Sequence, residues 1–141
     1  MTSGTALVVD TSFVAALFLP DEQSENIESI LKDAAGGHEI ITTSLFWYEI
    51  SNVLTVAVKC KRLSYNQVRQ VLSLIGNIGM TTDTACGVGY SRELTDIASR
   101  YELSAYDAGY LELAIRIRGR IATLDLSLTA AARSAGIEIS N

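Results

Sequence analysis

Short β-branched and apolar runs alternate with helical segments along the chain, and this alternation constrains the fold more than any other feature. The runs fall at residues 6–9, 39–43, 78–82, 121–124 and 137–139. The first, Ala-Leu-Val-Val, has no polar alternation, as expected of a strand buried on both faces. Strand–helix–strand order predicts an α/β fold, a parallel sheet of four or five short strands flanked by helices.

The intervening segments carry helix signals. Thr11 and Ser12 are good N-caps for a short buried helix reaching about residue 19, which Pro20 stops. Residues 21–35 place Ile27, Ile30, Leu31 and Ala34 at helical spacing, and Gly36-Gly37 ends that segment. Ser44 is expected to cap a helix reaching about Lys61, and Ser64 begins another that reaches about Ile75. Further helices are expected over 85–101, 104–118 and 126–134, the first weakened at its start by Gly87 and Gly89.

The 141 residues, 48% apolar and 19% charged, are read as one domain over 1–141, with neither linker nor repeat. A chain of this length buries about 68% of its unfolded surface and needs no disulfide to fold. The apolar stretch at 14–19 falls far short of the ~18 residues of a membrane span. The N-terminal residues lack the basic and apolar blocks of a secretory leader. Cys60 and Cys86 are expected to be reduced, half-buried thiols, which fits a cytoplasmic protein.

Charge is unevenly spread. Residues 1–58 hold one base and eight acids, residues 59–141 ten bases and eight acids. Two basic clusters stand out: Lys59, Lys61 and Arg62, then Arg116, Arg118 and Arg120. Solvated surface explains such runs by default, and a rim that contacts phosphates is the sharper alternative.

Ligands of open parallel sheets bind beyond the carboxyl ends of the strands. Asp10 and Asp125 lie at such ends, Glu49 in the first turns of the helix after the second strand, and Asp107 at the start of the 104–118 helix. Each acid alone could be a helix cap or a first-turn acid that complements the helix dipole. One shared site would explain all four. Converging carboxylates repel, and oxygen donors without His or Cys suit Mg²⁺ or Mn²⁺. Such an ion would also turn an acidic pocket into one that binds phosphate.

The segments Val8-Val9-Asp10-Thr11-Ser12, Glu49-Ile50-Ser51-Asn52-Val53-Leu54, Tyr106-Asp107-Ala108-Gly109-Tyr110-Leu111-Glu112-Leu113-Ala114 and Ala122-Thr123-Leu124-Asp125 occur in the order and spacing of a known family. The sequence resembles PIN-domain ribonucleases, and within them VapC-type toxins, over essentially its whole length. The resemblance implies a PIN-like fold and a Mg²⁺- or Mn²⁺-dependent endoribonuclease acting on RNA. It implies that Asp10, Glu49, Asp107 and Asp125 form the acidic quartet, with Asp10 and Asp107 nearest the metal. Ser12 and Thr123 match hydroxyl positions beside it, and Asn52 shares the helix face of Glu49. It further implies a cognate antitoxin and a homodimer.

Other readings are weaker. A degenerate PIN fold could bind protein or RNA without catalysis. A receiver-type signalling domain would want adjacent acids after its first strand and a Lys after its last. A phosphatase with an Asp nucleophile would want a second Asp where Ser12 stands. Glu112 is expected to be a solvated acid, Asp83 a cap for the following helix and His38 an exposed turn residue. Trp47, Tyr48, Tyr106 and Tyr110 are expected in core or interface rather than as stacking platforms.

Overall fold

The computed structural model describes residues 6–18, 29, 31–32 and 36–140. Four strands, β1 (Ala6–Val9), β2 (Glu39–Thr43), β3 (Thr81–Asp83) and β4 (Arg120–Ala122), form one sheet in the order β3-β2-β1-β4. All three pairings are parallel, with Val8 opposite Ile41 and Ile121, and Ile41 opposite Thr81. Chain order reverses between β1 and β4, and the crevice at such a reversal is where doubly wound sheets bind their ligands.

Among the described residues six helices flank this sheet: α1 (Thr11–Phe18), α2 (Ser44–Lys59), α3 (Tyr65–Asn77), α4 (Val88–Tyr101), α5 (Ala105–Ile117) and α6 (Leu126–Ser134). α1 packs on α2, while α5 packs on α4, on α6 and across β1, β2 and β4. Every residue of β1 is buried, as its unbroken apolar run requires. Leu7, Val8, Phe13, Phe46, Ile50, Leu111, Leu113 and Ile121 fill the space around it, each at most 2% exposed. Much of the apolar surface of α1 and α2 is thus core.

Local chemistry explains where elements begin and end. The Asp10 carboxylate, rather than Thr11 or Ser12, caps α1 by accepting from Phe13 N at 3.0 Å. Thr43 caps α2, because Ser44 instead donates to the carbonyl of Asp83. Ser64 and Gln67 form a reciprocal capping box on α3. Ser104 accepts from Asp107 N at 3.1 Å and fixes the start of α5. At the far end, Gly119 passes the Ala6 carbonyl so closely that a Cβ there would lie 2.9 Å from its oxygen.

Further expectations change, and the fourth strand closes at Ala122 rather than Leu124. The third strand starts at Thr81 rather than 78, because Ile78 closes α3 by donating to Ile75 O and Gly79 then turns with φ 77°. The segment 137–139 is no fifth strand: it makes one parallel bridge, Ile121 to Ile139, as it leaves the Gly136 turn. Cys60 and Cys86 are free but exposed. Most of the helix expected over 21–35 lies outside the described residues, with positions 29, 31 and 32 helical.

Candidate active site

β1 ends at Val9, and Asp10 follows as a buried carboxylate, 4% exposed. Its Oδ1 accepts from Ser12 Oγ at 2.8 Å and from Phe13 N, and its Oδ2 accepts from Thr123 Oγ1. Ser12 Oγ also accepts from Leu124 N at 3.0 Å, and Thr123 Oγ1 accepts from Asp125 N at 3.0 Å. These bonds stitch the end of β1 to the end of β4 and lock one carboxylate between them. Burial raises the Asp10 carboxyl above its ordinary value, and the charge of Asp125 adds to the rise, against the pull of the three hydrogen bonds.

Asp125 caps α6 by accepting from Leu128 N at 2.8 Å. Its role as a cap and its place in the acidic cluster coexist. Asp107, in the first turn of α5, is half-buried, and its pKa is pushed from 3.8 up to about 6. Desolvation is the largest cause, followed by the charges of Asp125, Asp10 and Glu49. The structure therefore brings all four expected acids into one field at one sheet edge.

Glu49 is held from two sides. Its Oε1 accepts from Tyr110 OH at 2.6 Å and from Thr11 Oγ1 at 2.9 Å. Tyr110 is buried, and burial together with the Glu49 bond pushes its hydroxyl up, so it remains a donor. Sequence reasoning gave Tyr110 no site role and overlooked Thr11. The available signal was position: Tyr110 lies three residues after Asp107 on the same helix face, and Thr11 follows Asp10 directly. Asn52, one turn beyond Glu49, is exposed.

The remaining expectations divide. Glu112 is buried rather than solvated, and it binds Arg116 at 2.9 Å. Asp83 caps no helix, since Gly87 opens α4 without a side-chain cap bond. It takes two bonds from Arg116 instead, at 3.0 and 2.7 Å, and the guanidinium lowers its carboxyl. Arg116 is thus committed to two carboxylates. Arg118 and Arg120 sit where β4 begins, Arg120 beside Leu7 in register, at the edge of the sheet opposite Asp10. Their place argues against a shared phosphate rim at the acids. Lys59, Lys61 and Arg62 are exposed at the far end of α2. His38 is exposed as expected. Trp47 donates to Thr82 Oγ1 at 2.9 Å. Tyr48 and Tyr106 are 77% and 63% exposed, which leaves the interface half of their expected placement, and they line a cavity together with Thr43, Tyr90 and Gly109.

The donor set suits a hard cation: carboxylate oxygens backed by hydroxyls, with mutual repulsion that a divalent charge would relieve. Among the described residues, no group of three or more His, Cys, Asp or Glu side chains stands close enough together to hold a metal ion.

The described helices include none long and apolar enough to cross a membrane. A model of the PIN domain matches residues 7–134. Ribonuclease VapC3 of Pyrobaculum aerophilum is 30% identical over 122 residues, covering 86% of this chain and 91% of that protein. Among solved structures, PAE2754 from Pyrobaculum aerophilum superposes with a TM-score of 0.71 at 19% identity, over 96% of this chain and 83% of the other. FitAcB from Neisseria gonorrhoeae superposes with a TM-score of 0.63 at 13% identity, over 96% of each chain. A four-stranded parallel sheet in this order, and a family pattern that runs through all four acids, place the chain in the PIN-domain family.

Proposed function

We propose that this protein is a metal-dependent endoribonuclease, which hydrolyses RNA phosphodiester bonds as the toxin of a toxin–antitoxin pair. The observation that carries the reading is Asp107, held at about 6 by burial and by the fields of Asp125, Asp10 and Glu49. Acids in mutual repulsion at a sheet switch point are the counterpart of a cation, and the relative named above is a ribonuclease.

In this reading Asp10, Glu49, Asp107 and Asp125 hold Mg²⁺ or Mn²⁺. Such an ion, when bound, makes water acidic enough to act as a nucleophile and neutralises charge on a phosphoryl group. The chain's own contribution is preorganisation. Ser12 and Thr123 fix the Asp10 carboxylate, and the cap on α6 fixes Asp125. Asn52 flanks Glu49 at the surface. Tyr48 and Tyr106 offer exposed rings next in sequence to Glu49 and Asp107, suited to stacking on unpaired bases. Lys59, Lys61 and Arg62, at the end of α2 remote from the acids, would reach only the backbone of flanking RNA. A cognate antitoxin would cover the acids. A second copy of the chain would cover apolar surface left by Val56, Tyr65 and Leu72.

The test is cleavage of end-labelled RNA by purified wild type and Asp10→Asn, each with Mg²⁺, with Mn²⁺ and with EDTA. We expect cuts only in the wild type with metal. Undiminished cutting in EDTA would overturn the metal mechanism. RNA binding without cutting under any condition would favour the degenerate binding module.

A further inference from the structure

Two hydroxyls converge on one oxygen of Glu49, and each comes from the same short segment as another acid. Thr11 follows Asp10, and Tyr110 lies one turn after Asp107. Thr11 Oγ1 donates to Glu49 Oε1 at 2.9 Å, Tyr110 OH donates to the same oxygen at 2.6 Å, and the two hydroxyl oxygens are 3.2 Å apart. The three residues belong to α1, α2 and α5, so this oxygen is a junction of three helices.

We infer that Tyr110 and Thr11 are positioning residues that clamp Oε1 of Glu49 and leave Oε2 as the oxygen able to take a ligand. The inference rests on the metal-dependent reading above. Glu49 stands on the second turn of a long helix, and its side chain has three torsions to settle. A free carboxylate would swing away from Asp107, on which its charge bears directly. Two donors on one oxygen hold it against that repulsion. Tyr110 is 1% exposed, so its ring is fixed by packing and its hydroxyl position is set before any ligand arrives. The clamp also sets the register of the site: the segment that carries Asp10 and the segment that carries Asp107 each hold Glu49 directly.

A purely architectural Tyr110 would make the same bonds, so the test needs a readout beyond stability. Mn²⁺ alone is titrated calorimetrically into the metal-free full chain of wild type, Tyr110→Phe, Thr11→Val, Thr11→Ser and Glu49→Gln. We expect Tyr110→Phe to weaken Mn²⁺ binding roughly tenfold, the scale of loss when a partner that orients a ligand is removed. Thr11→Val should weaken it less, and Thr11→Ser, which keeps the hydroxyl, should match wild type. On RNA, kcat should fall in Tyr110→Phe while KM holds. Added to Glu49→Gln, Tyr110→Phe should cost Mn²⁺ affinity nothing further, because it acts through Glu49. Wild-type Mn²⁺ affinity in both Tyr110→Phe and Thr11→Val, whatever their melting temperatures, would overturn the clamp while leaving the metal site standing. If Tyr110→Phe does not fold, the Thr11→Val and Thr11→Ser pair decides. A wild type that does not bind Mn²⁺ would overturn the metal reading, and the clamp with it.

Discussion

Replacing Asp107 by Asn should make the metal-free protein more stable at neutral pH, an uncommon outcome for a partly buried polar site. The Asp107 carboxyl stands at about 6 against an ordinary 3.8, chiefly from desolvation and then from the charges of Asp125, Asp10 and Glu49. At ~1.36 kcal/mol for each tenfold change in proton affinity, this corresponds to about 3 kcal/mol against the ionised folded state. Because the carboxyl is only half-buried, water screens part of that penalty, and about half, ~1.5 kcal/mol, is the expected gain. The sign follows from proton linkage. A raised acid binds its proton more tightly in the folded state, so the folded state is favoured at low pH. As pH rises from about 4 to about 6 the unfolded chain releases its proton first, and wild-type stability falls. Above about 6 the whole penalty is present, whereas at pH 4 only a few tenths of a kcal/mol remain. Asn relieves both the desolvation and the repulsion, and the Asp107 backbone N–H keeps its bond to Ser104. Urea unfolding of both proteins in EDTA, at pH 7.5 and pH 4, measures the difference. We expect Asp107→Asn to gain ~1.5 kcal/mol, on the order of 5 °C in melting temperature, at pH 7.5, and almost nothing at pH 4. A loss of stability at pH 7.5, or the same gain at both pH values, would refute the reasoning.

Mg²⁺ should raise the melting temperature of wild type more than that of Asp107→Asn, because it binds the folded acids and relieves the same repulsion. Asp10→Asn should gain no stability despite a raised carboxyl: it breaks the acceptor set that serves Ser12, Phe13 and Thr123, at a cost of about 1 kcal/mol in urea unfolding. Arg116→Met should lose about 2 kcal/mol at pH 7.5, since it strips Asp83 and the buried Glu112 of their common partner, and denaturant titration reads the loss. Neutralising Lys59, Lys61 and Arg62 together should weaken RNA binding and flatten its salt dependence, and an unchanged salt slope would mark them as solvated surface charges.

The sequence by itself determined the fold class and marked four acids as candidates for one site. Alternating short apolar runs and capped helical segments permit few architectures other than a parallel sheet under helices. Asp10 and Asp125 stood out because they follow apolar runs and Glu49 because it interrupts an apolar helix, while Asp107, a first-turn acid, was singled out by the family resemblance. Chain geometry is local there: an Asp immediately after a strand must emerge at that strand's carboxyl end. The tertiary structure alone decided what depends on pairing across elements. Arg116 read as a member of a basic run, yet it bridges Asp83 and Glu112 from α5 to the end of β3. Nothing within residues 116–120 encodes that partner. Arg118 and Arg120 likewise needed the β1–β4 register to place them opposite the acids. Tyr110 read as an ordinary core aromatic, and its ring is indeed buried, but its hydroxyl reaches Glu49, 61 residues away in the chain. Local patterns report which face of an element is apolar, while the partner of a polar atom at the tip of a buried side chain is set by how three helices meet.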